Sequence, residues 1–531
     1  MFLVVGDGTA ETRGLRGLRL VTDGGVRVLG RHGHDLLVLD GVLHADGGST
    51  PEELLHRLRR PGGAGPDGDW SRVRGSFAGA YLSAGPGGTR LLAFNDHLGV
   101  SDLYTWIDGP DHAVRGFAVG NDFAALLGHL PQRARRLDTR TADAFRALGA
   151  TVNGRTFARG VRRAPPGALL AFGDGAVRRG RSWRYRFSPR ARDMDEAVER
   201  CWELIGRAGR RIAASTAPGA PALLGVSGGH DSRVTGAACA AAGMELTGYF
   251  FGERDSSAAR AAGEVARILG VPLGFTGPAR ELPRYFEESA HRRPLADLEW
   301  CKYLPGRGPL VAGAGALLSG RLGDHLFSDK GHQPEDGPQG DREIAESLFA
   351  ELAKEAAPEA AAEAVVADIT EELSGLGGCG VQRRRGFNFS SMSMSVKQCG
   401  LFHTYGRVPH HSVFEDLDVF ESALDLPNAW RVGNRFYDTL LERKQPLLAP
   451  ARTPVPTTNE HKPLERWLRG NTEFAAHAGR LFDPAEELGP CGARRTAGES
   501  VEAIVAGRAT RNEIHQYFRR ATVRAYERIY G

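Results

Sequence analysis

Six consecutive residues, Ser227-Gly228-Gly229-His230-Asp231-Ser232, bring two hydroxyls, a carboxylate and two glycines together directly after the apolar run Ala222-Leu223-Leu224-Gly225-Val226. That combination suits a phosphate. Gly228 and Gly229 let backbone amides approach an anion closely, and a helix starting here would add its unpaired N–H groups. Ser227 and Ser232 offer hydroxyl donors, and Asp231 can hold Mg²⁺, which in turn bridges phosphates. The loop contains no Lys, so it differs from GxxxxGK[ST]; it suits pyrophosphate as a leaving group better than transfer of a terminal phosphoryl. A turn that needed glycines alone would have no use for Ser, Asp and Ser at these offsets.

The surrounding elements would hold such a loop at the end of a parallel sheet. Residues 194–214 have helical spacing, with Val198, Trp202, Ile205 and Ile212 near one face. The strand ALLGV follows, then the glycine loop and an Ala-rich helix to Gly243. Next come the strand ELTGYFF, a helix over about 256–269 and the short strand VPLGF. Strand and helix alternating at this spacing imply crossover connections. Before about residue 189 the text differs. Short apolar runs (FLVV, VRVLG, DLLVLDGVL, FAGAYLS, RLLAFND, FAVGND, ALLAFGD) alternate with Gly-rich turns, as in layered antiparallel sheets, with helical patterns at 51–59 and 139–148. The polar stretch 187–195 reads as a linker. Beyond 340 the segments are mainly helical, and the Ala/Glu-rich run 344–373 reads as a solvated helical face.

With 531 residues the chain exceeds one ordinary core, and two or three domains are expected. Hydrophobic residues at 41% and charged ones at 25% are ordinary for a globular protein, and a diffuse net charge of +4 argues against a nucleic-acid partner. The six cysteines (201, 239, 301, 379, 399, 491) show no CxxC or Cys/His ligand spacing and read as reduced and structural. No basic segment followed by a long apolar one opens the sequence, and no stretch reaches the roughly 18 apolar residues of a membrane span. A cytoplasmic protein with no membrane partner is expected.

SGGHDS resembles the SGGxDS pyrophosphate loop of the asparagine synthetase family, and LLSGRLGDHLFSDK (317–330) resembles that family's LSGxGxDExFGGY. The resemblance implies that Ser319 and Gly320 join the ATP/pyrophosphate site and that Asp324 is the second Mg²⁺ carboxylate beside Asp231; His325 stands where the family has Glu. Further matches are FNDHLGVSDLYTW (94–106) to RDPLGxxPLYY, VRGSFAGAYL (73–82) to DGxFAFAL, GRTFARGVRRAPPGALL (154–170) to xRTFFxGIxxLPPGxxL, and TYGRVPHH (404–411) to LEARVPFLD. The implied architecture is α/β. Residues 1–189 would form an Ntn-hydrolase-like, class II glutaminase-like β-sandwich. Residues 190–531 would form a parallel-sheet ATP-pyrophosphatase domain with added helices.

Two departures redirect the chemistry. The family's glutaminase nucleophile is the Cys after the initiator Met; here Phe2 stands in its place, no Cys precedes Cys201, and the NGE segment reads Asp40-Gly41-Val42. Phe supplies no thiolate, so ammonia from glutamine is not the nucleophile. Where ammonia-using synthetases have Glu, this chain has Tyr405, as the β-lactam synthetases of this superfamily do. There the Tyr is paired with a Glu on a later helix, and Glu442 is the candidate partner. The resemblance also implies a loop Lys that stabilises the adenylate and oxyanion. Lys462 is the choice, with Lys444 and Arg452 as competitors. His410 and His411 are adjacent, would point opposite ways on a strand, and receive no role.

The expected activity is ATP-dependent, Mg²⁺-assisted amide formation through an acyl-adenylate, on a substrate bearing a carboxylate and an amine. Closure of a lasso-type precursor peptide in natural-product biosynthesis is favoured, with a leader-binding protein and a pathway protease as partners. A β-lactam synthetase, an ammonia-dependent synthetase and an inactive nucleotide-binding scaffold are the rivals.

Overall fold

The computed structural model describes residues 2–7, 18–22, 26–30, 35–44, 50–60, 63, 68–71, 73–85, 88–252, 254–276, 313–328, 337–353, 359–393, 408–451, 465, 468–486, 488 and 495–530. Tyr405, Lys462 and Arg452 lie outside them, as do Cys301, Cys399 and Cys491.

The chain is mixed α/β, with two antiparallel sheets and one parallel sheet. Strands β1 (Phe2–Asp7), β2 (Leu18–Thr22), β7 (Tyr104–Asp108), β8 (Gly116–Gly120) and β9 (Val161–Arg163) form one sheet in the order β2-β1-β8-β7-β9. Strands β3 (Arg27–Leu29), β4 (Asp35–Leu43), β5 (Gly75–Gly85), β6 (Gly88–Asn95), β10 (Ala168–Gly173) and β11 (Ala176–Arg181) form the other, ordered β11-β10-β6-β5-β4-β3.

Strand alternation produces four layers. Val4, Val119, Val38, Ala80, Leu82, Leu91 and Leu170 meet between the two sheets. On the outer face of the second sheet, Phe77, Tyr81, Leu92 and Phe94 cover Leu54, Leu55 and Leu58 of the helix Pro51–Arg59, which Thr50 and Glu53 close with a capping box. The outer face of the first sheet, with Leu3, Tyr104 and Ala118, packs on Phe123, Leu126, Phe145 and Phe157 and on Val523 and Tyr526 of the helix Arg511–Tyr530.

The third sheet is parallel throughout, in the order β14-β13-β12-β15-β16: β12 (Ala222–Gly225), β13 (Leu246–Phe251), β14 (Leu273–Thr276), β15 (Ala316–Leu318) and β16 (His410–His411). The helices Met194–Ser215, His230–Ala241 and Ser257–Leu269 supply Ile205, Val234 and Val265 to its core. The sheet grows one way from β12 through β13 to β14 and the other way through β15 to β16. This reversal opens a crevice beyond the carboxyl ends of β12 and β15, where ligands bind in sheets of this kind.

The run 344–373 has the expected solvated face, with Glu346, Glu363 and Glu371 exposed, and a buried face opposite it. It forms parts of two helices, Asp341–Leu352 and Glu359–Ser374, which bury Ile344, Leu348, Val365, Ile369 and Leu373 against Ala144 and Leu148 of Thr139–Leu148. Asp368 is 0% exposed there, neutralised by Arg140 at 2.6 Å and Arg155 at 2.9 Å. Those branched aliphatic residues bury, while Ala350, Ala360 and Ala367 stay exposed. No helix among the described residues is long and apolar enough to cross a membrane.

Candidate active site

The glycine loop leaves β12 and enters the helix His230–Ala241, whose N-cap is Gly229 and whose first turn receives no side-chain cap. A helix that starts this way offers its N-terminal end to an anion. The loop is stapled to itself. Ser232 donates to the Ser227 carbonyl at 2.9 Å and accepts the Ser227 N–H at 3.0 Å, while Ser227 Oγ accepts the Gly229 N–H at 3.1 Å. Ser232 is thus buried and holds the loop's shape, whereas Ser227 and Gly229 are exposed. Arg233, 1% exposed, ties the loop down by donating to the carbonyls of Gly229, Leu448 and Ala449.

The second segment comes up beside it. Ser319 and Gly320 follow β15; the Ser319 N–H donates to the His411 carbonyl at 3.0 Å, and Thr235 on the loop's helix donates to the Ser319 carbonyl at 3.3 Å. Gly320 lies so close to Asp231 that a Cβ there would sit 2.2 Å from the Asp231 Cβ. Leu322 has φ +77°, unusual for a bulky residue, and opens the short helix Gly323–Phe327. That helix presents Asp324 and His325, whose Nε2 is 3.9 Å from Asp324 Oδ1.

A third element was not anticipated as part of the phosphate site. The helix Arg435–Lys444 brings Tyr437 and Asp438 to the loop. The Tyr437 hydroxyl donates to Asp231 Oδ1 at 2.8 Å. Burial, followed by the carboxylates of Asp231 and Asp324, holds the Tyr437 phenol well above its ordinary range, so it stays a donor. Gly323, next to Asp324, closes on the same pair: a Cβ there would sit 2.5 Å from Asp231 Oδ1 and 2.6 Å from the Tyr437 hydroxyl oxygen. His230 stacks on the Tyr437 ring with centroids 4.8 Å apart, and its Nε2 lies 2.8 Å from Asp438 Oδ1.

Mg²⁺ needs one or two carboxylates, with phosphate oxygens and water supplying the rest. Asp231 and Asp324 meet that requirement. Among the described residues no group of three or more His, Cys, Asp and Glu could hold a metal.

Glu442 lies on the same helix, exposed and one turn beyond Asp438, hence on the face that reaches the loop. Its expected partner Tyr405 is outside the described residues. Lys444 pairs with Glu199 on the helix Met194–Ser215, away from the glycine loop. His410 and His411 are both buried on β16, and His411 faces His44 across the seam with ring centroids 6.3 Å apart. In the first sheet domain, Asn121 donates to Asp40 at 2.6 Å. The buried thiols of Cys201 and Cys239 are pushed up to about 11 and about 12, which leaves them unreactive.

No protein-family model matches the chain, and no curated protein matches it.

Proposed function

We propose that the protein forms an amide bond at the expense of ATP, through an acyl-adenylate. The observation that carries this reading is the close approach of the segment carrying Asp324 to the glycine loop at Asp231, through Gly320 and Gly323, at the point where the parallel sheet reverses its strand order. A carboxylate oxygen of the substrate attacks the α-phosphorus of ATP; the bond from that phosphorus to the bridging oxygen breaks, and pyrophosphate departs. The Gly228 amide and the Ser227 hydroxyl bind the leaving group, the Gly229 N–H holds Ser227 Oγ in place, and Ser319 and Gly320 close the other side. Mg²⁺, held by Asp231 and Asp324, would neutralise phosphate charge when bound.

In the second half-reaction an amine nitrogen of the substrate attacks the acyl carbon, gives up a proton and expels AMP. Tyr405, oriented by Glu442, is the proposed base, and Lys462 the cation for the oxyanion. In this reading the first two sheets act as a glutaminase-like scaffold, and no Cys occurs before Cys201 to serve as its nucleophile. Macrolactam closure of a lasso-type precursor peptide is the favoured substrate reading, with β-lactam formation as the rival; an amine on the same molecule would replace the missing ammonia source.

The test is pyrophosphate release from MgATP with a lasso-type precursor peptide and, separately, with an N-carboxyethyl amino acid. Asp231→Asn and Asp324→Asn should each lower release by about 100-fold while the far-ultraviolet spectrum is unchanged. Release that survives both substitutions sinks the metal assignment, and no release with either substrate favours a binding scaffold.

A further inference from the structure

Between residues 181–186, which end β11 and lead out of the antiparallel layers, and the loop 375–377 lies a cavity of about 270 Å³. Four of its walls are aromatic and close on one another. Ring centroids are 6.4 Å apart for Trp183 and Tyr185, 5.7 Å for Tyr185 and Phe389, 5.0 Å for Phe389 and Phe420, and 5.9 Å for Phe420 and Trp183. The volume is below that of a whole drug-sized ligand and suits one fused-ring or large aromatic group.

An aromatic box alone would also suit a cation. The charges around this one favour an anion. Arg181, Arg184 and Arg186 line the cavity and are exposed, and no carboxylate lines it among the described residues. Two carboxylates stand just outside the lining, Glu421 accepting the Trp183 indole N–H at 2.8 Å and Glu372 accepting the Ser390 hydroxyl and the Asn153 N–H, but the guanidiniums outnumber them.

Behind the rings, two more guanidiniums are buried without a carboxylate. Arg385, 1% exposed, lies over Phe187 at 4.7 Å and Phe389 at 5.8 Å, and its Nε and Nη2 have no hydrogen-bond partner. Arg431, 0% exposed, donates to the carbonyls of Leu326, Ala423, Leu426 and Pro427. The Tyr185 hydroxyl is likewise covered and unpartnered. Guanidiniums stay charged in proteins, and in a low-dielectric interior their field is felt strongly across a ring or two. The cavity therefore combines flat apolar walls with a positive potential from both rim and floor.

We propose that this cavity binds an aromatic group carrying a carboxylate, as the recognition end of the molecule the protein joins. The assignment to that molecule rests on the synthetase reading above. Phe389, which walls the cavity, meets the His325 ring edge-on at 6.5 Å, and His325 adjoins Asp324. A group seated among the four rings would be separated from the candidate active site by those two side chains.

The experiment is calorimetric titration of the full chain, without ATP, with indole-3-acetate and with tryptamine, which share a ring system and differ in the sign of charge. Indole-3-acetate should bind, and tryptamine should bind at least roughly tenfold more weakly. Gly377→Phe should block the cavity; the Cβ position of Gly377 meets nothing within 4 Å, so the substitution is tolerated by the fold. Arg184→Glu, at an exposed position, should weaken indole-3-acetate by about tenfold with no change in melting temperature. Equal binding of the two probes, or binding indifferent to Gly377→Phe, overturns the proposal. So does pyrophosphate release that is unaffected when indole-3-acetate saturates the cavity. Charge-selective binding that Gly377→Phe abolishes, in a protein that releases no pyrophosphate with any substrate, would uphold the cavity and sink the synthetase reading instead.

Discussion

Asp231 has two oxygens, and Tyr437 engages one of them. A phenol that stays protonated fixes the carboxylate's rotamer beside the glycine loop. Tyr437→Phe keeps the packing and removes that hydrogen bond, worth about 1.5–3 kcal/mol to a charged acceptor. The expected outcome is a rise of roughly tenfold in the Mg²⁺ concentration that half-saturates pyrophosphate release, read from a metal titration. An unchanged requirement would make Tyr437 a packing residue. This partner was not legible in the sequence. Tyr437 stands 206 residues from Asp231, and Asp438 stands 208 from His230, in a helix whose spacing resembles many others. Asp231 and Asp324 can be proposed from the sequence because each sits in a short motif whose chemistry is local. Ser232 was legible as a polar loop residue, but its commitment to the loop's own carbonyl depends on a turn geometry that types and spacing do not encode.

At the scale of elements, the glycine loop's helix and the end of β15 touch backbone to backbone. Gly320 permits that approach. In Gly320→Ala the new methyl carbon would lie 2.2 Å from the Asp231 Cβ and 2.5 Å from its carbonyl carbon, and neither can yield without moving the helix. Overpacking of this kind costs about 1–3 kcal/mol. Urea denaturation should report that loss, together with abolished pyrophosphate release; full activity in the variant would mean that the two segments separate in solution. The regular elements around this contact were largely legible. Apolar runs announced β1, β4, β5, β6 and β10, and helical spacing announced Pro51–Arg59, Thr139–Leu148 and Met194–Ser215 close to their ends. The strands β2, β7, β9 and β11 were missed. β11 reads Ala-Val-Arg-Arg-Gly-Arg, an outer strand whose one buried residue, Val177, leaves no hydrophobic alternation to detect.

Over the whole molecule, the seam between the antiparallel layers and the parallel sheet is lined with buried histidines. Burial, then Arg74, holds His97 down at about 4; burial, then His44 and Arg321, holds His411 at about 3, and His410 is depressed as well. An unfolded histidine takes its proton near 6.5, so between that value and the folded one the unfolded chain binds more protons, and acid favours unfolding. Asp96, raised to about 7 by burial, and Glu415, also raised by burial, act in the opposite sense. His411→Gln removes one histidine from this balance. The stability lost between pH 6.5 and 4.5 should shrink by roughly 2–3 kcal/mol relative to the parent, measured by urea unfolding at each pH. Parallel losses would show that His411 takes a proton in the folded state.

The last described helix, Arg511–Tyr530, completes the outer layer of the first sheet. Tyr526 is 0% exposed, meets Phe157 at 5.6 Å, and its hydroxyl donates to the Arg135 carbonyl at 2.6 Å. Tyr526→Ala should cost about 3–5 kcal/mol in denaturant unfolding; a cost under about 1 kcal/mol would mean the helix is dispensable there. These partners are 391 positions apart. At a synthesis pace of about 5–20 residues per second, the face formed by Phe123, Leu126 and Phe157 waits roughly 20–80 seconds on the ribosome for its cover. During that interval a nearly finished sheet domain exposes an apolar surface to its neighbours. The protein's yield in a cell thus depends on chaperone capacity and translation speed as well as on final stability, and a premature stop before residue 511 releases a sticky product rather than a shortened enzyme.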